Sequence, residues 1–526
     1  MPFNKKITYT SLLLADEQVH AMYEEALEKV SEKYFGKHYP IYIGGGEFFS
    51  PSGEFEDRSP IDTSILIGYF QRSNVDHIRE AISIAKQGFK EWSRTDWRDR
   101  VKIMRRAAEL VDERKYEIAA VVTYEVGKNR MEALAECWEV IDTLNYYAKI
   151  MEENNGYELK LELEEVCRMV AKPYGVWVVI SPFNFPLMLA NGMIVGALIT
   201  GNTVVFKPSS DGPLTGLLLY KIFIDAGVPG EAINYLTGPG DVFEDEIVMN
   251  KDVAGIAFTG SREVGMRLYK RFTSSQPYPK PVILEMGSKN PTIVTSKADV
   301  KKAVQGVIRA AFGYGGQKCS ATSRVYVQKD IKDRFIEELI RETKNLKVGD
   351  PRKREVFLGP VVNKRAYENF MKYVETAKRD GGHILFGGHV LVGGEYDKGY
   401  YVLPTIITGL KRDHDLFKNE LFLPILLIDT FDTLEEAIAE ANNTDYGLTA
   451  GIFSEDEEEI NYFFERIEFG VVYANRRGGA TTGAWPGLQT FVGWKASGST
   501  GKGLGGPNYL LTYIREQSRT IVKEKS

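Results

Sequence analysis

This sequence has few cysteines and no excess of positive charge. Its 526 residues include only three cysteines, Cys137, Cys167 and Cys319, which are an odd number and lie far apart. This spacing offers neither a disulfide framework nor a zinc site, so we expect no metal and a reducing compartment, the cytoplasm. The formal net charge of −6 gives no electrostatic basis for a nucleic-acid partner, which requires a basic face.

A long apolar run is also missing. The N-terminal segment lacks the apolar core of a signal peptide. Residues 173–206 contain no charged side chain, but "SPFNFP" and "TGNT" interrupt them. A membrane span needs about 20 consecutive apolar residues, and the piece between these interruptions is shorter. It therefore predicts a buried helix in a protein that has no membrane partner.

The length of the chain predicts more than one domain. Single hydrophobic cores stop growing at roughly 250–300 residues, and this chain has 526. Helical periodicity fills three blocks between residues 73 and 154. Apolar and charged side chains alternate over residues 157–172, which predicts a half-exposed hairpin.

Strands and helices then alternate in two successive series. The first runs from "GVWVVI" at residue 175 to "VILEM" at residue 286, and the second from about residue 290 to 490. The first series predicts a parallel sheet with helices on both faces, and the second predicts a separate α/β domain. The strands of the first series end in the polar turns "SPFN", "KPSS", "TGSRE" and "GSKN", and ligands bind at such ends. A helix that begins near Ser261 would offer free N–H groups to a phosphate, so we interpret this half as nucleotide-binding.

The common glycine fingerprint of dinucleotide-binding proteins is not used here. "GKGLGG" matches it but lies too close to the C-terminus to open a βαβ unit. "GPGDVF" begins like the fingerprint but ends in Phe243. Any dinucleotide must therefore be bound by other residues.

Cys319 is the strongest candidate for a nucleophile. It lies in "GGQKCSA", where small neighbours give access and backbone N–H groups would stabilise a thiolate. The alternative is a buried inert thiol, which requires the apolar neighbours that are missing here. Cys137, inside an apolar helical pattern, fits that alternative better.

Three polar residues at predicted strand ends could complete a site. Glu285 would face a cleft, where a general base belongs, although a surface carboxylate is the simpler interpretation. Asn184 is an amide in an apolar turn, so it is either hydrogen-bonded in the core or kept as an oxyanion donor. Lys207 could hold a ribose hydroxyl or a phosphate.

In their order along the chain, these motifs resemble the aldehyde dehydrogenase superfamily. The resemblance begins at about residue 40 and rests on "SPFNFP", "GNTVVFKPSS", "IAFTGSREVG", "LEMGSKNP", "GQKCSA", "NELFLP" and "YGLTAGIFS". It implies that Cys319 forms a thiohemiacetal and then a thioester with an aldehyde. It also implies that Glu285 activates water, and that the Asn184 side chain and the cysteine N–H hold the oxyanion. Members that transfer the acyl group to coenzyme A lack the glutamate, so an acid-forming enzyme is favoured.

The resemblance implies NAD as the cofactor. Lys207 would bind the adenosine ribose, Gly260 and Ser261 the pyrophosphate, and Glu420 the nicotinamide ribose. Ser210 stands where strictly NAD-using members often place a carboxylate that repels a 2′-phosphate, so NADP remains an alternative. The expected cofactor-binding residues are Ser181, Pro182, Phe183, Lys207, Ser209, Ser210, Gly240, Phe258, Thr259, Gly260, Ser261, Val264, Glu420 and Phe422.

The segment after Asn475 is similar to the 1-pyrroline-5-carboxylate dehydrogenase branch of this family. That similarity implies oxidation of L-glutamate γ-semialdehyde to L-glutamate in proline catabolism. A serine and a backbone nest would bind the substrate carboxylate, and two phenylalanines would enclose its aliphatic chain. The expected substrate-binding residues are Phe185, Ser320, Gly483, Ala484 and Phe491.

A few positions depart from the pattern of the branch and keep other hypotheses open. "TFVGW" replaces "PFGG", "GSK" replaces "GGK", Leu423 replaces a glycine, and the bulky Trp485 enters the loop that would bind the carboxylate. The alternative substrates are succinate semialdehyde and simple aliphatic aldehydes. A non-catalytic binding protein would not need the cysteine, glutamate and asparagine together, and a thiol hydrolase would need a histidine, but all six histidines lie outside the motifs.

The resemblance also implies an aldehyde dehydrogenase fold, with a Rossmann-like cofactor domain, an α/β catalytic domain and a small β element. The expected division is an N-terminal extension (1–40), an NAD(P)-binding domain (41–154 and 175–286), a bridging element (155–174 and 495–526) and a catalytic domain (287–494). In this family the bridging element pairs between subunits. We therefore expect a homodimer or a multiple of it.

Overall fold

The computed structural model describes residues 16–162, 165–478 and 484–522. Within these residues, two seven-stranded sheets are accompanied by three smaller sheets. The helices are α1 (Glu17–Tyr34), α2 (Val75–Trp92), α3 (Trp97–Val126), α4 (Arg130–Glu153), α5 (Met188–Ile199), α6 (Pro213–Ala226), α7 (Gly240–Met249), α8 (Arg262–Ser275), α9 (Val300–Phe312), α10 (Lys332–Lys344), α11 (Lys364–Arg379), α12 (Asp415–Lys418), α13 (Leu434–Asn442) and α14 (Glu457–Arg466). The strands are β1 (Lys37–Tyr39), β2 (Ile41–Ile43), β3 (Gly46–Phe48), β4 (Glu54–Arg58), β5 (Leu66–Gln71), β6 (Glu158–Glu162), β7 (Glu165–Pro173), β8 (Val176–Ile180), β9 (Thr203–Lys207), β10 (Ile233–Tyr235), β11 (Val253–Gly260), β12 (Val282–Met286), β13 (Asn290–Val294), β14 (Thr322–Gln328), β15 (His383–Phe386), β16 (Thr405–Thr408), β17 (Ile425–Phe431), β18 (Tyr446–Gly447), β19 (Thr449–Phe453), β20 (Val471–Ala474), β21 (Trp494–Lys495) and β22 (Ile514–Val522).

The first large sheet has the strand order β12-β11-β8-β9-β10-β2-β3. The pairs among β8 to β12 are parallel, whereas the β10–β2 and β2–β3 pairs are antiparallel. The chain moves outward from β8 to β9 and β10, returns to β11 on the other side of β8, and continues to β12. The connections therefore diverge between β8 and β11. In such sheets the crevice at the carboxyl ends of the diverging strands is where ligands bind.

Alternate side chains of the strands face two helical layers. Trp177 and Val179 of β8 pack with α3, α4, α5 and α6 in one core. Val176 and Val178 of the same strand pack with α2, α7 and α8 in another. The parallel sheet with helices on both faces, predicted from the sequence, is thereby confirmed.

Helix α5 explains the long stretch without charged residues. Every one of its 12 residues is buried, since it lies between the sheet and α4. Such a helix can be apolar on all sides without lying in a membrane. In the part of the chain that the structure describes, no helix reaches the length and apolarity that a membrane crossing demands.

The second large sheet has the order β15-β16-β17-β14-β13-β19-β20. All its pairs are parallel except β15 with β16. The connection from α9 to the central strand β14 carries Cys319, and β13 follows directly after the last strand of the first sheet. The two sheets therefore meet where Glu285 ends one and the cysteine segment enters the other.

A three-stranded antiparallel sheet, β6-β7-β22, joins the predicted hairpin to the C-terminus. Strand β22 pairs with β7 from Ile514 opposite Pro173 to Val522 opposite Glu165. The sheet exposes five apolar side chains: Leu159, Leu161, Met169, Ile521 and Val522. Cys167 is exposed on β7.

The N-terminal helix α1 is packed against the first helical layer. Tyr23 is fully buried and its hydroxyl donates to Thr123 Oγ1 on α3 at 2.5 Å. Cys137, on α4, is buried in the same core, as its sequence context predicts.

Candidate active site

Cys319 lies in a tight connection, residues 313–321, which we call the nucleophile turn. Gly316 has a φ of +65°, and a Cβ there would lie 2.4 Å from the carbonyl oxygen of Leu423. Only glycine tolerates both the backbone angle and this contact. The turn is consequently packed directly against the backbone of the segment that carries Glu420.

Asn290 fixes the nucleophile turn from the side of the second sheet. Its Nδ2 donates to the carbonyl oxygens of Cys319 at 2.7 Å and Ala321 at 2.8 Å. Its Oδ1 accepts from the N–H of Thr449 at 2.9 Å and from the hydroxyl of Ser288. Our sequence reasoning missed this residue. The only sequence signal was a polar side chain at the start of an otherwise apolar strand.

A buried ion pair holds the turn from the other side. Lys318 Nζ lies 2.8 Å from Glu132 Oε1 on α4, and both side chains are almost fully buried. Because the lysine directly precedes Cys319, this contact anchors the cysteine to the helical layer of the first sheet.

Burial raises the pKa of the Cys319 thiol to about 12. The carboxyl groups of Glu420 and Glu285 raise it further, which places both close enough to affect the sulfur electrostatically. The backbone N–H groups of Ser320 and Cys319 act in the opposite direction. The dipoles expected from the sequence are therefore present, but in this state burial outweighs them and the thiol keeps its proton.

Glu285 lies at the end of β12, whose free edge is covered by the C-terminal segment. Met286 N–H donates to Ser497 at 2.9 Å, and Ser499 N–H donates to Leu284 at 3.1 Å. Burial raises the pKa of the Glu285 carboxyl well above its usual range, although the Gly493 N–H donates to it. Among the described residues, its Oε2 has no hydrogen-bond partner. A buried oxygen of this kind is available to a water molecule.

Glu420 is held beside the end of β12. Its Oε1 accepts the Ser288 N–H at 2.8 Å, and a Cβ at Gly287 would lie 2.0 Å from its Oε2. Burial raises the pKa of this carboxyl to about 7. Glycine at position 287 is therefore what allows the carboxylate to approach the backbone.

Asn184 and Phe185 lie in the turn between β8 and α5, which we call the oxyanion turn. Asn184 is buried. Glu136 Oε1 accepts the N–H groups of Leu187 and Met188, both at 2.9 Å. Helix α5 has no capping side chain of its own, so a carboxylate from α4 takes this role.

A cavity opens at Cys319. It brings together four residues predicted to bind substrate, Phe185, Ser320, Ala484 and Phe491, whereas Gly483 lies outside the described residues. The other lining residues are Glu139, Met188, Leu189, Trp485, Pro486, Gln489 and Leu504. Neither Glu285 nor Asn184 lines this cavity. Glu139, which sequence reasoning missed, adds a buried carboxyl group.

Ten of the fourteen predicted cofactor-binding residues lie at the carboxyl ends of β8, β9 and β11. Ile180 pairs with both Lys207 and Phe258, so the three strands end side by side. Ser261 caps α8, and its hydroxyl accepts the Val264 N–H at 3.4 Å. The residues in or directly after these strand ends are Ser181, Pro182, Phe183, Lys207, Ser209, Ser210, Phe258, Thr259, Gly260 and Ser261. Gly240, at the start of α7, would have open space around an added Cβ.

Phe183 links this crevice to the second sheet. Its ring meets that of Phe422 edge to face, with the centroids 5.8 Å apart. Phe422 has a φ of +57°, a strained value for a bulky residue. Strain of this kind clusters at functional sites, and here it sits two residues from Glu420.

Lys207 is buried in the crevice, and burial lowers its pKa to about 8. Its amine donates to the Pro208 carbonyl at 3.2 Å. Ser210 Oγ lies 3.5 Å from the carbonyl oxygen of Gly238. A carboxylate does occur one position later, in Asp211, where the Asn363 amide donates to it at 3.1 Å.

Comparison with known proteins identifies the family. The aldehyde dehydrogenase family model matches residues 48–518. The chain is 36% identical over 503 residues to a 1-pyrroline-5-carboxylate dehydrogenase of Geobacillus sp. (strain WCH70), with 95% of each chain covered. It is 37% identical over 503 residues to 1-pyrroline-5-carboxylate dehydrogenase 1 of Halalkalibacterium halodurans, also with 95% of each covered.

Solved structures agree with this result. A 1-pyrroline-5-carboxylate dehydrogenase from Thermus with bound NAD superposes with a TM-score of 0.92 at 33% identity, covering 97% of this chain and 98% of that one. A betaine aldehyde dehydrogenase from Staphylococcus aureus in complex with NAD+ gives 0.88 at 27% identity, with 96% and 98% covered. The chain belongs to the aldehyde dehydrogenase family.

Proposed function

We propose that this enzyme oxidises L-glutamate γ-semialdehyde, the open form of 1-pyrroline-5-carboxylate, to L-glutamate with NAD(P), in proline catabolism. Relatives that cover 95% of the chain carry the name of this activity. The observation that carries the proposal is the cavity at Cys319, which combines a nucleophile with groups for each part of this substrate.

The cavity matches an amino-acid aldehyde. Ser320 and the backbone of Ala484, which line the cavity, would bind the substrate carboxylate, and Phe185 and Phe491 would flank its methylene groups. The Glu139 side chain, which also lines the cavity, would lie near the ammonium group, which a simple aliphatic aldehyde lacks. From the sequence, Gly483 would complete the carboxylate site.

The proposed reaction begins at Cys319. Its thiol releases a proton to solvent, and the sulfur adds to the aldehyde carbon to form a thiohemiacetal. The Asn184 amide and the Cys319 N–H stabilise the negative oxygen during this step. The crevice beside Lys207, Ser261 and Glu420 would hold NAD(P), which would supply an acceptor for the hydride of the substrate carbon. The carbonyl then re-forms as a thioester on the sulfur.

Glu285 completes the cycle. Its carboxylate takes a proton from water, whose oxygen attacks the thioester carbon, and the carbon–sulfur bond breaks to release glutamate and the thiol. Because burial raises the pKa of Glu285, the fraction of carboxylate available for this step increases with pH.

The crevice at the strand ends fits a dinucleotide. The N–H groups at the start of α8, beside Gly260 and Ser261, suit a pyrophosphate. The buried Lys207 suits the adenosine ribose, and Glu420 with Phe422 suits the nicotinamide ribose. Phe183, Phe258 and Val264 supply the apolar walls, while Ser181, whose hydroxyl has no partner among the described residues, adds an available polar group. We propose NAD as the cofactor, with NADP as the alternative because Ser210 carries no charge.

We further propose that the domains follow the division expected from the sequence and that the enzyme is a homodimer or a multiple of it. The support is the β6-β7-β22 sheet, which exposes five apolar side chains in the isolated chain. Exposed strands with apolar faces usually pair with another chain. Sedimentation measurements would test this assembly.

The function is tested by supplying purified enzyme with pyrroline-5-carboxylate, succinate semialdehyde or propanal, each with NAD or NADP. We expect kcat/KM to be highest with pyrroline-5-carboxylate, and Cys319→Ala to abolish the reaction. Equal turnover of the other aldehydes would disprove the substrate but not the reaction. Activity that survives in Cys319→Ala would disprove the mechanism.

A further inference from the structure

Lys128 and Glu136 form a fully buried ion pair behind the catalytic residues. Lys128 follows the C-terminus of α3, and Glu136 lies in the second turn of α4. Lys128 Nζ is 2.6 Å from Glu136 Oε2, and both side chains are 0% exposed. Isolated buried charges are costly, and such a pair seldom improves stability over apolar residues of the same volume. Its presence therefore requires another explanation.

Lys128 contacts both catalytic turns. Its Nζ lies 3.7 Å from the ring centroid of Phe185, in the oxyanion turn. It also lies 5.2 Å from the ring centroid of Tyr314, in the nucleophile turn. A cation within about 6 Å of a ring face is attracted to it. One ammonium group therefore lies between the segment of Asn184 and the segment of Cys319.

Both turns are tied to the same support by hydrogen bonds. Glu136 caps α5 through Leu187 and Met188, directly after the oxyanion turn. The Tyr314 hydroxyl donates to the Val126 carbonyl at 2.7 Å, two residues before Lys128. Both turns therefore contact the ion pair or the backbone beside it.

We propose that Lys128 and Glu136 are positioning residues that set the distance between the oxyanion donor Asn184 and the nucleophile Cys319. This inference rests on the proposed roles of those two residues. Displacement of a catalytic group by about 1 Å costs on the order of 100-fold in rate. Loss of the pair should therefore slow acylation of the cysteine without weakening its reactivity as a thiol.

The test uses Lys128→Met and the double variant Lys128→Met/Glu136→Gln. The single variant keeps the carboxylate cap of α5. The double variant removes both charges together, which avoids a lone buried charge, and its amide oxygen still accepts from α5. Lys115→Met is the matched control, since Lys115 is a largely buried lysine that pairs with Asp112 and lies near the Trp138 ring. Thermal unfolding verifies that each variant is folded, and the double variant is used if the single one is not.

Two reactions of Cys319 distinguish a misplaced oxyanion donor from a general loss of thiol reactivity. Acylation by p-nitrophenyl acetate without cofactor requires the oxyanion donor, whereas alkylation by iodoacetamide does not. We expect Lys128→Met and the double variant to lower the acylation rate about 10- to 100-fold and to leave the alkylation rate within about threefold. For the aldehyde, we expect kcat to decrease by a similar factor while KM changes little. Lys115→Met should match the wild type in all assays.

The proposal is wrong if the folded variants acylate as fast as Lys115→Met, or if acylation and alkylation decrease together. Failure of the proposed function gives a different result. In that case the wild type would be acylated by the ester at Cys319 but would not oxidise pyrroline-5-carboxylate.

Discussion

Replacing Asn290 by alanine would measure how much the nucleophile turn depends on one amide. Asn290 is 1% exposed. Its removal leaves the carbonyls of Cys319 and Ala321 and the N–H of Thr449 without these hydrogen bonds. Each buried group left unsatisfied costs about 1–3 kcal/mol, so the three together cost at least about 3 kcal/mol. This is a large share of the roughly 5–15 kcal/mol by which a domain is stable.

The corresponding decrease in the midpoint of thermal unfolding is about 6–12 °C for a domain of roughly 200 residues. We expect Asn290→Ala to show this decrease and to lose most of its activity, because the carbonyl that orients Cys319 is released. Asn290→Asp keeps the acceptor but loses both donors, so it should lie between alanine and wild type. Asn443→Ala makes the same change at an exposed position and should stay within about 2 °C. An active Asn290→Ala enzyme with an unchanged midpoint would refute the reasoning.

Three further predictions concern the chemistry and the size of the site. In Glu285→Gln the amide cannot accept a proton from water. We therefore expect a burst of one equivalent of reduced cofactor, followed by a steady-state rate at least about 100-fold below that of the wild type. A rate within tenfold of wild type would assign water activation to another group. Because burial raises the pKa of Cys319 to about 12, its thiolate fraction in the cofactor-free enzyme should increase about tenfold per pH unit from 7 to 10. The rate of iodoacetamide labelling should increase with the same slope. A plateau of this rate below pH 9 would contradict the prediction. Trp485 lines the cavity, and its Nε1 donates to Asp142 at 2.5 Å. Trp485→Val should therefore favour the six-carbon homologue 2-aminoadipate semialdehyde over the five-carbon substrate. We expect the ratio of their kcat/KM values to increase about tenfold, because one methylene changes kcat/KM by about 10- to 200-fold. An unchanged ratio would show that the indole does not limit chain length, and Asp142→Leu should shift the ratio in the same direction.

The fold was predictable because its signals are local. Helix α2 (Val75–Trp92) is the first of the three blocks of helical periodicity, and the uncharged stretch around residues 188–199 is the buried helix α5. The spacing of apolar residues and the local composition indicate such elements without reference to distant residues. The pairing of β22 with β7 could not be read in this way, because it joins strands more than 300 residues apart. It was expected only through resemblance to a family.

The site was predictable to the extent that its chemistry depends on unusual residues in unusual settings. Cys319 was distinctive because its neighbours were small and polar. Asn290 and Glu136 were not, because polar residues in apolar strands and helices are often solvent-facing, and only the fold shows that these two are buried beside catalytic turns. The raised pKa of Cys319 could not be predicted from the sequence either, because its burial depends on segments that lie far apart in the chain.

The buried charges of α4 show why the support of an active site is hard to infer from stability alone. Glu136 pairs with Lys128, and Glu132, one helical turn earlier, pairs with Lys318. Apolar replacements of such pairs are often neutral or stabilising, so selection for a stable fold would not retain them. An apolar side chain, however, cannot accept hydrogen bonds from the N–H groups at the start of α5. It also cannot form the ion pair that joins the nucleophile turn to α4. If the pairs persist for this reason, a variant that replaces both with apolar residues and remains folded should acylate Cys319 more slowly.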